Sequence, residues 1–215
     1  MCVDFFNQIC RHWDEISKPD SHKIHFLLQK LSWNVSKRVL DVGTGTGILL
    51  PFIRHYSPKS LIQAIDIADG MIDIAKTKYA KWKNINWIVS DIEKQIYRGK
   101  FDQIILYSVF PHLTRKTETI SYLVNHCLTD DGELLIAHAQ SREFLNHLHK
   151  HKDERVSNDS LIEIENQCSI FEQQGLGIID ADESDEYYYI ALGKAYASSI
   201  TVMPAPPNCT CSSWK

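Results

Sequence analysis

The chain predicts an α/β fold, a doubly wound sheet with helices on both faces, and three observations carry that expectation. Apolar runs and helix-period runs alternate from residue 37 to residue 138, the pattern of parallel strands joined by right-handed helical crossovers. Three of the apolar runs are closed by an acid: Asp41, Asp66 and, two residues past its strand, Asp91. After the first acid come three glycines at every second position, Gly43, Gly45 and Gly47, where backbone N–H groups can approach a ligand that side chains would hold off.

Taken in order, residues 3–31 read as helical. Phe5, Phe6, Ile9 and Trp13 recur at helical spacing, and a second segment, Lys23 to Leu31, follows the break Pro19-Asp20-Ser21. The first strand, 37–41, carries Val39 and Leu40, with Val42 beyond, and suits a buried parallel strand. A helix over 47–56 would turn its free N-terminal N–H groups toward the same ligand. Strand 60–66, helix 69–80, strands 85–89 and 101–107, helix 115–127 and strand 132–138 continue the alternation. Helices at 141–150 and 158–174 follow, then two strands, 177–180 and 187–192, separated by the acidic run 182–186. That run reads as a solvated hairpin turn rather than a metal site. Residues 196–215, rich in Pro, Ser and Cys without periodicity, read as a loose tail. The expected organisation is a helical cap over 1–31, a ligand-binding domain over 32–195 and the tail.

At 215 residues the length suits one domain with a central sheet. Hydrophobic content of 44% and charged content of 23% suit a soluble globular protein, and no apolar run reaches a membrane span. The N-terminus has an early acid and no basic segment before an apolar one, so it does not read as a secretory signal, and a cytoplasmic setting is expected. A net charge of −4 supplies no general footprint for nucleic acid. The six cysteines are scattered rather than framework-like, and Cys209-x-Cys211 alone lacks the ligands for a tetrahedral metal site.

The glycine spacing separates two ligand classes. A dinucleotide fingerprint would require glycine at position 48, where the chain has Ile48. Asp41-x-Gly43-x-Gly45-x-Gly47 instead resembles motif I of the class I S-adenosylmethionine (SAM)-dependent methyltransferases. That resemblance, covering about residues 1–195, implies a Rossmann-like seven-stranded sheet ending in an antiparallel pair, with an N-terminal helical cap. It implies that Asp66 accepts from the ribose hydroxyls, that Asp91 accepts from the adenine amino group and that Ile92 lies on the ring. Asp41, Gly43, Thr44, Gly45, Ile67, Met71 and Tyr107 complete the SAM-binding set expected on the same grounds. Phe5, Phe6, Trp13 and Asp14 resemble the aromatic cap of the ubiquinone/menaquinone methyltransferase group, with Trp13 the candidate lid and substrate contact, although an amphipathic helix packed on the core would look the same.

The acceptor side is less specific. Tyr107-Ser-Val-Phe-Pro-His112 lacks the Asn/Asp-Pro-Pro-aromatic motif of amino methyltransferases, which disfavours nucleic-acid bases as acceptors. Nor does that strand end in the aspartate that catechol-type enzymes use for Mg²⁺, and of the several cysteines that arsenite methyltransferases need, only Cys127 lies between strands four and five. His112 is a general base, a substrate hydrogen bonder or a loop histidine facing water. Within His138-Ala-Gln-Ser141-Arg-Glu-Phe-Leu-Asn-His-Leu-His149-Lys-His151, Arg142, Asn146 and His149 fall on one arc of a helix, and Phe144, Leu145 and Leu148 on the neighbouring one. The histidines do not converge, so no metal is expected; the polar stripe is a solvated face or a substrate contact, with His149 a second catalytic candidate. The expected protein moves a methyl group to a small polar or anionic molecule, with a non-catalytic SAM-binding sensor or partner subunit as the rival reading.

Overall fold

The computed structural model describes residues 3–94, 99–152 and 159–195; the predicted tail, Cys209-x-Cys211 and the start of the helix expected at 158 lie outside them. Helix α1 (Val3–Ile9) leads through a 3₁₀ turn (Cys10–His12) into α2 (Trp13–Ile16), and α3 (Ser21–Leu28) follows. Asp20 caps α3, its side chain accepting from the N–H groups of His22 and Lys23. Then come β1 (Arg38–Val42), α4 (Leu50–Tyr56), β2 (Leu61–Asp66), α5 (Asp69–Lys78), β3 (Ile85–Val89) and β4 (Phe101–Tyr107). After a 3₁₀ turn at Phe110–His112 the chain forms α6 (Lys116–Tyr122), a π-turn (Leu123–Cys127), β5 (Leu128–His138), α7 (Arg142–Lys152), α8 (Ile164–Gln173), β6 (Leu176–Glu183) and β7 (Tyr188–Lys194).

The strands form one seven-stranded sheet in the order β3-β2-β1-β4-β5-β7-β6. Five strands run parallel, and β7 is antiparallel to both β5 and β6. This is the predicted doubly wound sheet with its antiparallel ending. Strand order reverses between β1 and β4, and a doubly wound sheet opens a ligand crevice at the carboxyl ends of the strands at such a switch point.

Each face of the sheet has its own core. Leu40, Val42, Ile104, Leu106, Leu134, Ile136 and Tyr188 point to one side, with Phe110, Leu123 and Phe171 from the covering segments. Val39, Ile62, Ala64, Ile105, Leu135 and Tyr189 point to the other, under Ile24, Leu27 and Leu28 of α3 and Leu50 and Ile53 of α4. Helix α3 is thus core, and α1 with α2 is the part of the N-terminal segment that reaches the switch point.

Four expectations shift in detail. Helix α4 begins at Leu50 rather than 47, because Gly47 takes φ +83° and holds the chain in a turn. Strand β5 begins at Leu128 rather than 132, pairing Phe101 with Leu128 before its register shifts at Gln103 opposite Glu133. Helix α8 begins at Ile164, and 159–163 is non-helical. Phe144, expected on the packed arc of α7, is 56% exposed, while Leu145 beside it is buried. Among the described residues no helix is long and apolar enough to cross a membrane.

Candidate functional site

A cavity opens at the switch point, lined by the loops after β1, β2 and β4 and by α1 and α2. Its floor is the loop after β1. Gly43 and Gly45 hold φ of +67° and +55°, conformations in which a side chain is strained. A Cβ on Gly43 would stand 2.2 Å from Val109 Cγ2, so glycine there lets the loop after β4 close against the loop after β1. Asp41, 1% exposed, accepts from Thr44 Oγ1 at 2.6 Å. Burial pushes its carboxyl up to about 7, with Asp66 adding to the effect and the Thr44 hydroxyl opposing it.

Asp66, at the end of β2, accepts from Gly45 N–H at 2.8 Å and from Ala68 N–H at 2.9 Å. It is 9% exposed, and burial raises its carboxyl while the N–H groups of Ala68, Gly45 and Ile67 hold it down. Each carboxylate oxygen keeps a lone pair beyond these bonds. Ile67, Met71, Ser90 and Ile92 continue the wall, and Tyr107, Ser108, Val109 and His112 form it on the β4 side. Burial raises the Tyr107 phenol to about 12, so it is neutral at ordinary pH. Ser108 takes φ +58° although it is not glycine, held by its N–H bond to Ala137 O at 2.9 Å; strain of this kind is concentrated at functional sites.

Phe6 of α1 and Trp13 of α2 form the roof. Trp13 Nε1 lies 3.6 Å from where a Gly45 Cβ would be, and the Phe6 ring meets those of Trp13 and His112 edge-on at 5.9 and 5.4 Å. Polar ties fasten the roof to the floor. Asp14 accepts from Thr46 Oγ1 and from Lys78 Nζ, while Asn7 donates to Asp69 and accepts from Gly70 N–H.

Nine of the ten residues expected around SAM line this cavity: Asp41, Gly43, Thr44, Gly45, Asp66, Ile67, Met71, Ile92 and Tyr107. Asp91 does not. Its carboxylate accepts from Glu93 N–H at 3.0 Å and pairs with Lys94 at 3.1 Å. The donor set suits SAM, because a buried carboxylate beside the glycine loop matches an ammonium, Asp66 matches vicinal hydroxyls, and Ile67 with Ile92 offers apolar faces to a purine.

Trp13 and His112 also line the cavity, whereas the α7 stripe turns elsewhere. Arg142, expected at the acceptor, gives its Nε to Glu183 Oε2 at 2.9 Å. Asn146 is likewise committed, donating to Leu161 O and accepting from Leu161 N–H, both at 2.8 Å. His149 lies with its ring centre 5.0 Å from that of His112, and its Nδ1 donates to Asp159 O at 2.7 Å. Asp159, which the sequence reading passed over, sets its carboxylate 2.6 Å from His112 Nδ1. Behind them His138, 1% exposed, and Tyr188 place ring nitrogens and hydroxyl with no hydrogen-bond partner among the described residues. Burial drives His138 down to about 3, with His112 and His149 adding repulsion, so it stays neutral.

Comparison with known proteins agrees with this geometry. Residues 39–132 match a family described as a methyltransferase domain. The chain is 34% identical over 136 residues to a malonyl-[acyl-carrier protein] O-methyltransferase of Bacillus anthracis, covering 61% of this chain and 50% of that protein. It is 30% identical over 165 residues to the Bacillus cereus protein of the same name, covering 73% and 61%. The chain spans about half the length of the curated relatives it matches. Among solved structures, a chain of the complex between the Haloferax volcanii Trm112 methyltransferase activator and a methyltransferase superposes with a TM-score of 0.77 at 16% identity, covering 91% of this chain and 97% of that one. A SAM-dependent methyltransferase from Aquifex aeolicus gives 0.66 at 19%, covering 85% and 97%.

Proposed function

We propose that this chain, a class I SAM-dependent methyltransferase by fold, domain match and relatives, moves a methyl group to a small polar or anionic acceptor. The observation that carries the reading is the roofed cavity, with Asp41 and Asp66 at its floor, Phe6 and Trp13 above and His112 in its wall. SAM, when bound, supplies an activated methyl whose departing sulfur is neutral. The protein has then to position the acceptor and exclude water. Asp66 offers acceptors to the ribose hydroxyls, Asp41 sets a carboxylate beside the glycine loop, and Phe6 and Trp13 keep water out. Arg142 and Asn146 are spent on Glu183 and Leu161, which leaves Trp13 and His112 in the cavity lining as the acceptor-side groups, with His149 packed against His112. The cytoplasm is the compartment we assign.

A polar acceptor-side group in the cavity wall favours an enzyme over a SAM sensor. The test is transfer of label from methyl-tritiated SAM to the small-molecule fraction of a cell extract, alongside calorimetric SAM binding. Label appearing in small molecules is the expected result. SAM binding with all label retained in SAM would establish the sensor instead.

A further inference from the structure

We propose that Asp159 is a positioning residue that holds His112 as a proton acceptor, and that the methyl acceptor is therefore a molecule whose reacting atom arrives carrying a proton: a hydroxyl, a thiol or an amine. The inference rests on the methyltransferase reading above and narrows its substrate class.

The geometry fixes a tautomer. A carboxylate can only accept, so Asp159 Oδ2 at 2.6 Å from His112 Nδ1 puts the proton on that nitrogen. Nε2, on the far side of the ring, is then the basic nitrogen, and His112 is the histidine that lines the cavity. The backbone carbonyl of the same Asp159 takes the Nδ1 proton of His149 at 2.7 Å. One residue thus sets both neighbouring rings. Asp159 is held in turn, because Asn146 clamps the backbone of Leu161, two residues on, with paired 2.8 Å bonds. Leu161 itself is buried. The stripe of α7 fastens this segment against His112.

The surrounding charges give the pair its chemical meaning. His138 behind the cluster is neutral, Arg142 is paired with Glu183 and Glu143, and Lys116, half-buried, gives Nζ to Leu113 O at 3.0 Å while sensing Asp159 and Glu93. Among the described residues Asp159 is the carboxylate in contact with His112, placed to stabilise the imidazolium that forms when Nε2 takes a proton. Such a device has no use for a carboxylate acceptor, which has already lost its proton. For an acceptor X–H, the lone pair of X forms the bond to the methyl carbon. The sulfur keeps the electron pair of the bond that breaks, and the X–H proton passes to His112 Nε2.

The test is long-range proton–nitrogen correlation on the full chain with ¹⁵N-labelled histidine, assigned through His112→Gln. At pH 8 His112 should carry its proton on Nδ1. In Asp159→Asn, whose amide can donate as well as accept, the share of His112 carrying its proton on Nδ1 should fall at least about twofold. A wild-type His112 protonated on Nε2, or a tautomer unmoved by Asp159→Asn, would overturn the proposal whether or not transfer has been observed. A turnover arm tests the substrate class with matched thiols, phenols and carboxylates. Turnover of proton-bearing acceptors should fall about tenfold or more in Asp159→Asn with the KM for SAM unchanged. Turnover confined to carboxylates, or unaffected by the variant, also overturns it. Failure of the methyltransferase reading would appear differently, as an absence of label transfer by the wild type.

Discussion

Asp41→Asn replaces a carboxylate that is 1% exposed by a neutral group of the same shape, and its effect on stability follows from the cost of burying charge. In the folded chain the carboxyl is raised from 3.8 to about 7. About three pH units at about 1.4 kcal/mol each make the ionised fold about 4 kcal/mol less favourable than the protonated one, relative to the unfolded chain. The raised value sets the sign: the stabilisation is complete below pH 3.8, is lost as pH rises toward 7, and stays lost above it. Asn does not ionise. Its side-chain oxygen can still accept from Thr44 Oγ1, so the variant keeps that 2.6 Å bond. The stability of Asp41→Asn minus that of wild type should therefore grow by about 2.5 kcal/mol between pH 5 and pH 8. Urea unfolding of both proteins without SAM, at a series of pH values, measures it. A difference that is flat with pH, or that turns against Asn as pH rises, would refute the burial argument. Calorimetry should show the opposite trend for the ligand, with SAM binding weakened in Asp41→Asn because the carboxylate proposed to meet the ammonium is gone.

Asp66→Ala should weaken SAM about ten- to a hundred-fold by calorimetry in a protein that remains folded by circular dichroism, since vicinal hydroxyls lose their acceptor; unchanged affinity would remove Asp66 from the site. Gly43→Ala forces a Cβ to within 2.2 Å of Val109 at φ +67° and should cost on the order of 1–3 kcal/mol in urea unfolding, partly recovered by Val109→Ala in the same chain. The roof is joined to the floor through Asn7 and Asp14, so SAM should slow trypsin cleavage after the exposed Arg11; equal rates with and without SAM would count against a closing lid.

The sheet was legible because its parallel strands are short apolar runs, three of them with an acid at or just past the end, and a parallel strand covered on both faces needs apolar residues on both. Where the signal failed, the sequence was locally polar or locally strained. Thr129-Asp130-Asp131-Gly132 reads as a turn, yet β5 runs through it with a shifted register. Gly47 reads as the first residue of a helix, yet its φ of +83° delays the helix to Leu50. Helical spacing placed Arg142, Asn146 and His149 on one face, and the face is shared as expected. What faces it was not legible, because Glu183, Leu161 and Asp159 lie 41, 15 and 10 residues further on. Asp159 stands in the polar run Asn158-Asp159-Ser160, with no periodicity to separate a buried-side acid from a solvated one. Ser108 and Val109 carried a weaker signal, their position directly after Tyr107 at a strand end.

The two halves of the site are therefore built by different means. All ten residues expected around SAM fall between Asp41 and Tyr107, inside the 39–132 range that matches the methyltransferase domain, and each sits at a strand end or within the first turns after one. A local motif suffices for such a ligand, because the strand register brings the loops together. The proposed acceptor side draws on three stretches, with Phe6, His112 and the neighbours His149 and Asp159, and of these residues His112 alone lies within the matched range. Similarity within that range thus carries the cofactor and leaves the acceptor open. On the reading proposed above the acceptor meets the roof and His112, and the Asp159 carboxylate 2.6 Å from His112 Nδ1 leaves the other ring nitrogen to take a proton that the acceptor releases.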